Sequence, residues 1–115
     1  MAKPKKQLHI PGLYGDLVVK LVSRRTILKR CGLRSTKGTV INGLYLDASH
    51  EILIASELEP HARVATLMHE IQHALLDSTD TLDEEAKCDV LGAYMLRILT
   101  EPTLQAAVQE LSTHA

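Results

Sequence analysis

His69-Glu-Ile-Gln-His73, inside the longer run Arg63-Val-Ala-Thr-Leu-Met-His-Glu-Ile-Gln-His-Ala-Leu-Leu76, is the stretch that decides the fold. Apolar residues recur around it at helical spacing, which predicts an amphipathic helix over about 60–77. Residues four apart on a helix lie on the same face, so the two imidazoles can bind one Zn²⁺. The glutamate after the first histidine, Glu70, can then act on a metal-bound water.

The segments before this helix predict a small antiparallel sheet of about three strands. The short β-branched or apolar runs over 17–22, 39–46 and 51–55 fit strands. The last two runs are joined by the short segment 47–50, which predicts an antiparallel hairpin. Residues 24–30 fit either a strand extension or a short helix, and 33–39 fit a loop. Residues 1–7 are basic and polar, and we expect a flexible arm.

The segments after the helix predict two more helices. The polar run 77–80 ends the first helix, and Thr81 with Glu84 fits a capping box that opens a second helix reaching about Leu99. A short last helix follows over about 103–111. The chain of 115 residues is therefore expected to form a single α+β domain. Its helical part is an antiparallel hairpin that carries the metal site, followed by a short C-terminal helix.

A catalytic zinc site needs a third protein ligand and one open position. The candidates after the pentad are all carboxylates: Asp77, Asp80, Asp83, Glu84 and Glu85. In an antiparallel helical hairpin, Glu85 lies level with His73, and Asp89 lies level with His69, because both pairs are centred on position 79. This predicts Glu85 as the third ligand and Asp89 as the acceptor of a hydrogen bond from a ligand histidine. The alternative for Glu85 and Asp89 is an ordinary solvated acidic pair.

The pentad followed by Glu85-Ala-Lys-Cys-Asp89 resembles the gluzincin metallopeptidase pattern. Together with the preceding hairpin and the run Cys88-Asp-Val-Leu-Gly-Ala-Tyr-Met-Leu96, it is similar to the small ImmA/IrrE-type metallopeptidases, which phages and mobile elements often encode. The resemblance covers about residues 40–99. It implies a zincin-like fold and a hydrolase whose protein substrates include helix-turn-helix transcriptional repressors.

These residues predict a zinc-dependent peptidase. His69, His73 and Glu85 hold Zn²⁺, and Glu70 is the general base that takes a proton from the zinc-bound water. A protein or peptide substrate lies extended along an exposed edge strand, for which strand 51–55 is the candidate. No residue stands out as a partner for the oxyanion. The candidates for that role are scattered along the chain: Tyr45, His50, His61, Tyr94 and His114.

The charge distribution supports an alternative of a different class. Residues 1–39 hold ten lysines and arginines against one acid, a net charge of +9, and the other 76 residues carry −10. Such polarity fits a non-catalytic, zinc-stabilised binding module that contacts nucleic acid or a regulator through the basic first third. Nucleic acid is the less favoured partner, because no aromatic residues are interleaved for stacking on bases. A blander option is a degenerate relative that binds no metal.

Composition and cysteine content predict a cytoplasmic protein. No apolar run approaches the length of a membrane span, and the N-terminus lacks the apolar region of a secretory signal. The two cysteines, Cys31 and Cys88, lie far apart without metal-type spacing and are expected to be free thiols. The oligomeric state stays open.

Overall fold

The computed structural model of the chain describes residues 7–12, 15–31 and 41–113, which fold into a sheet flanked by helices. The elements in chain order are β1 (Gln7–Pro11), β2 (Asp16–Val22), α1 (Arg24–Arg30), β3 (Gly43–Leu46), β4 (Glu51–Ala55), α2 (Pro60–Ser78), α3 (Glu84–Thr100) and α4 (Pro102–Thr113). The predicted α+β class is confirmed. Residues 1–6 of the arm predicted over 1–7, the loop predicted over 33–39 and residues 39–40 of the predicted strand 39–46 lie outside the described residues. Gln7, the last residue of the predicted arm, begins β1.

The sheet has four strands in the order β1-β2-β4-β3, and it is mixed rather than purely antiparallel. β1 pairs antiparallel with β2, and the predicted hairpin of β3 and β4 is confirmed. β2 and β4, however, run parallel. α1 and β3 lie between them in the chain, so they are not joined by a hairpin. The prediction missed β1, whose five residues offer only Leu8 and Ile10 as alternating apolar side chains.

β4 is one of the two inner strands of the described sheet, and both of its faces are covered. Ile52 and Ile54 face the main core under α2 and α4, whereas Leu53 and Ala55 pack with Ile27 of α1 on the other face. All five residues of β4 are buried. The prediction that strand 51–55 is an exposed edge is therefore wrong: β3 is the edge strand beside α2.

α2 fulfils the prediction for residues 60–77 and runs one residue further. Pro60 occupies its first turn, where the missing N–H costs nothing. Its buried face includes Leu67, Ile71 and Leu75 and packs against β3, β4 and α4. This leaves the opposite face of the helix, which carries both histidines of the pentad, exposed to solvent.

α3 begins two residues later than a cap at Thr81 requires. Asp83 is the N-cap, and its carboxylate accepts a hydrogen bond of 2.8 Å from the backbone N–H of Ala86. Thr81 instead lies in the preceding turn, which the bond from the Leu82 N–H to the Thr79 carbonyl closes. The predicted capping box of Thr81 and Glu84 is therefore wrong, because an aspartate nearer the helix takes the capping role.

Candidate metal centre

The two histidines of the pentad converge on one point above α2. Their Nε2 atoms are 3.2 Å apart, and their rings meet edge to face with centroids 4.9 Å apart. Both side chains are exposed because they lie on the face of α2 opposite Leu67 and Ile71. The spacing that the sequence predicted therefore brings both imidazoles together.

The distance between the two nitrogens fits a shared metal ion. Zinc–nitrogen bonds of about 2.0–2.1 Å in tetrahedral geometry place two ligand nitrogens about 3.4 Å apart. Within the described residues, the ligand atoms of His69, Glu70 and His73 form a group that lies within 4.8 Å of one another and could hold a metal ion. Imidazole nitrogens are also ligands that suit zinc.

Glu70 lies between the histidines and the edge of the sheet. Its side chain is only 8% exposed, and its Oε2 is 3.8 Å from Nε2 of His69. The backbone N–H of Tyr45 donates a hydrogen bond to the carboxylate. Burial raises the pKa of Glu70, and this outweighs the opposite effects of His73, His69 and the Tyr45 N–H. A buried carboxylate with a raised pKa is what a general base near neutral pH requires.

The structure does not bring Glu85 or Asp89 to the histidines. Both are exposed on the first turns of α3, and neither belongs to the group of ligand atoms around the pentad. Glu85 as the third ligand and Asp89 as the acceptor of a hydrogen bond from a ligand histidine therefore stay predictions.

The position of α3, which packs mainly against α4 rather than along α2, explains this separation. Tyr94 lines one hollow with Leu75, and Ile98 lines another with Met68. At 100° per residue, Met68 and Leu75 lie about 100–160° around α2 from the histidines. α3 is thus placed on a side of α2 that faces away from the site.

A groove along β3 flanks the histidines on both sides. One hollow of about 360 Å³ is lined by Asn42, Gly43, Ala65, Thr66, His69 and Glu70. A second hollow of about 520 Å³ is lined by Leu44, Tyr45, Asp47, Glu70, His73, Leu76 and Asp77. Glu70 lines both hollows, so its carboxylate lies at the middle of the groove.

The sequence reasoning missed the acidic end of this groove. Asp47, in the turn after β3, and Asp77, one helical turn after His73, share a hydrogen bond that raises the pKa of Asp77. Both side chains are exposed. Asp77 was considered only as a metal ligand, although its spacing of four from His73 already indicates the same helix face. The contribution of Asp47 depends on the β-turn and has no local signal.

The candidates for an oxyanion partner lie in different parts of the fold. Tyr45 lines the groove, and burial raises the pKa of its hydroxyl. Tyr94 instead lies in the core, where its hydroxyl donates a 2.5 Å hydrogen bond to the carbonyl of Pro11. His61 lies beside Glu59 at the start of α2, with Nδ1 3.6 Å from a carboxylate oxygen. His114 lies outside the described residues.

Several bases of the first third are already paired within the fold. Lys20 and Arg30 both contact the carboxylate of Glu51, at 2.5 Å and 2.7 Å. Arg24 donates a hydrogen bond of 3.1 Å to the side chain of Asn42. These contacts connect β2, α1 and β4, so this part of the positive charge stabilises the sheet and is less available to phosphates.

Comparison with protein-family models, curated proteins and solved structures finds no match to this chain. The resemblance to ImmA/IrrE-type peptidases therefore stays a prediction that rests on the quoted residues. Within the described residues, no helix is both long enough and apolar enough to cross a membrane.

Proposed function

We propose that this chain is a zinc-dependent metallopeptidase with a zincin-like arrangement of sheet and active-site helix. The observation that carries the proposal is the pair of Nε2 atoms 3.2 Å apart beside the buried carboxylate of Glu70. Two histidines alone would indicate only a metal-binding site without a particular function. The adjacent buried base, in a groove along an edge strand, favours hydrolysis of a peptide.

In this proposal the three residues have separate roles. His69 and His73 hold the metal through their Nε2 atoms, and bound Zn²⁺ supplies a Lewis acid that polarises a carbonyl and acidifies water. Glu70 accepts the proton of the attacking water on its carboxylate and then delivers it to the leaving amine. The Tyr45 N–H holds the carboxylate in place while it does so.

The substrate backbone lies along β3, which replaces strand 51–55 in this role. The Ala55 N–H donates a hydrogen bond to the Asn42 carbonyl. Alternate residues from Asn42 onward therefore direct their backbone N–H and C=O groups toward β4. Gly43 and Tyr45 therefore direct their backbone groups away from β4, and the Tyr45 N–H does reach Glu70. An extended peptide can pair with the remaining groups at this edge.

The Glu70→Gln variant tests this function. The amide oxygen of Gln can still accept the Tyr45 N–H bond, but the side chain can no longer take up a proton. We expect zinc-loaded wild-type protein to cleave an unfolded protein substrate, and the variant to be slower by about 10²- to 10⁴-fold. Equal zinc content in both proteins is the control. Cleavage by the variant at the wild-type rate would contradict the proposal.

The same samples separate the proposal from a zinc-stabilised binding module. In such a module, chelation unfolds the protein and Glu70 has no effect. A peptidase should instead keep its fold without metal, because its core does not pass through the site. A Glu85→Gln variant belongs in the series: zinc binding as tight as wild type would assign the third ligand position to another group.

A further inference from the structure

Gly43 lies where α2 comes closest to the edge strand. A Cβ atom at this position would lie 2.5 Å from Cγ2 of Thr66 and 3.3 Å from Cγ of Glu70. It would also lie 3.0 Å from the backbone oxygen of Leu53 on the paired strand. Carbon atoms do not pack at 2.5 Å, so any larger residue here must push α2 away from β3 or force Thr66 out of place.

The close approach matters because of what Glu70 reaches. Its carboxylate accepts the N–H of Tyr45, two residues along the same strand. Only alternate residues of β3 direct their backbone N–H away from β4, and Tyr45 is one of them. The bond to Glu70 therefore forms only when α2 lies directly against this edge of the sheet. Thr66, one helical turn before Glu70, sets the spacing between helix and strand. It is β-branched and has few rotamers with which to avoid a clash.

We propose that Gly43 is a positioning residue for Glu70: its missing side chain lets α2 lie against β3, and this holds the carboxylate on the Tyr45 N–H beside the histidines. The effect on the hydrogen bond follows from the packing alone. The effect on catalysis rests on the proposed function. The experiment therefore reads the two consequences separately.

The first readout is amide hydrogen exchange and the proton chemical shift of the Tyr45 N–H, measured on metal-free protein. In Gly43→Ala we expect this amide to exchange at least about tenfold faster, because a hydrogen bond to a charged group is lost. The matched control is Gly92→Ala on α3, where a Cβ would have no atom within 4 Å. This control should leave the Tyr45 amide unchanged.

A second variant keeps the test decisive if Gly43→Ala is poorly folded. Thr66→Ala removes the atom that would clash, so Gly43→Ala should perturb the Tyr45 amide less in a Thr66→Ala background than in wild type. An unchanged Tyr45 amide in Gly43→Ala would overturn the proposal. Equal perturbation in both backgrounds would also overturn it.

The second readout is turnover by the zinc-loaded protein. We expect Gly43→Ala to lower kcat by about 10- to 100-fold through displacement of the base, with zinc affinity unchanged. The double variant should recover part of this loss. If wild type itself shows no turnover, the proposed function fails, whereas the amide readout still decides the role of Gly43. A wild-type kcat in Gly43→Ala with a lost Tyr45 bond would overturn the catalytic part.

Discussion

Glu51 and Glu70 are two carboxylates with almost the same burial, at 7% and 6% exposure, in opposite environments. Glu51 starts β4 and accepts contacts from Lys20, Arg30 and Ser49, which lower its pKa to about 2. Glu70 has no lysine or arginine among the described groups that influence it, and burial raises its pKa. Burial alone therefore does not fix the direction in which the pKa of a carboxylate shifts, because charged and hydrogen-bonding partners can reverse it.

The difference separates a structural carboxylate, Glu51, from Glu70, which we propose to be the general base. Glu51 connects β2, α1 and β4, and its low pKa reports how strongly the fold prefers its charged form. Glu70 keeps a raised pKa because burial outweighs the opposing effects of His73, His69 and the Tyr45 N–H. A group held in an unfavourable state at a groove is a candidate for function rather than for stability.

The larger expected effect on stability concerns Glu51. Glu51→Gln should lower the free energy of unfolding at pH 7 by about 1–2 kcal/mol, a value reduced because Lys20 and Arg30 are partly exposed. The pKa of Glu51 is depressed from 4.5 to about 2, so its contribution is full above about pH 4.5 and disappears as the pH falls toward 2. Urea denaturation of both proteins at pH 7 and pH 3 measures this. A difference in the free energy of unfolding between the two proteins that is larger at pH 3 than at pH 7 would be inconsistent with a lowered pKa.

The smaller expected effect, with the opposite sign, concerns Glu70 in the metal-free protein. Because the pKa of Glu70 is raised, the folded state disfavours its charged form. The resulting loss in the free energy of unfolding appears as the pH rises above the ordinary pKa of a glutamate. Glu70→Gln should therefore be as stable as wild type at pH 7, or more stable by up to about 1 kcal/mol. The two proteins should converge at pH 4. Denaturation curves show this directly, and a clear loss of stability at pH 7 would give Glu70 a structural role like that of Glu51.

The parts of this molecule that sequence reasoning predicted depend on local pattern. α2 was predictable because the apolar residues repeat at helical spacing, and the β3–β4 hairpin because its connection is short. The pair of histidines followed from the four-residue spacing on one helix. In each case, the residues that decide the structure are neighbours in the sequence.

The parts that were not predictable depend on distant contacts. The parallel pairing of β2 with β4 is set by a crossover, and β4 is an inner strand because it pairs with β2 on one side and β3 on the other. Its second face is buried because α1 covers it. The placement of α3 follows from Tyr94, whose hydroxyl reaches Pro11, 83 residues away in the sequence. The prediction for Glu85 assumed that the short loop centred on position 79 alone determines how α3 lies against α2. It did not include the contact between Tyr94 and Pro11. The Tyr45 bond to Glu70 likewise joins a strand edge to a helix.

Zinc content tests the central claim most directly. Wild-type protein purified without chelator and Glu70→Gln should each hold one zinc ion per chain, as measured by elemental analysis against protein concentration. His73→Ala should hold much less, because it removes one of the two nitrogens that lie 3.2 Å apart. Wild-type protein without stoichiometric zinc, or His73→Ala with as much zinc as wild type, would contradict a metal centre at the pentad.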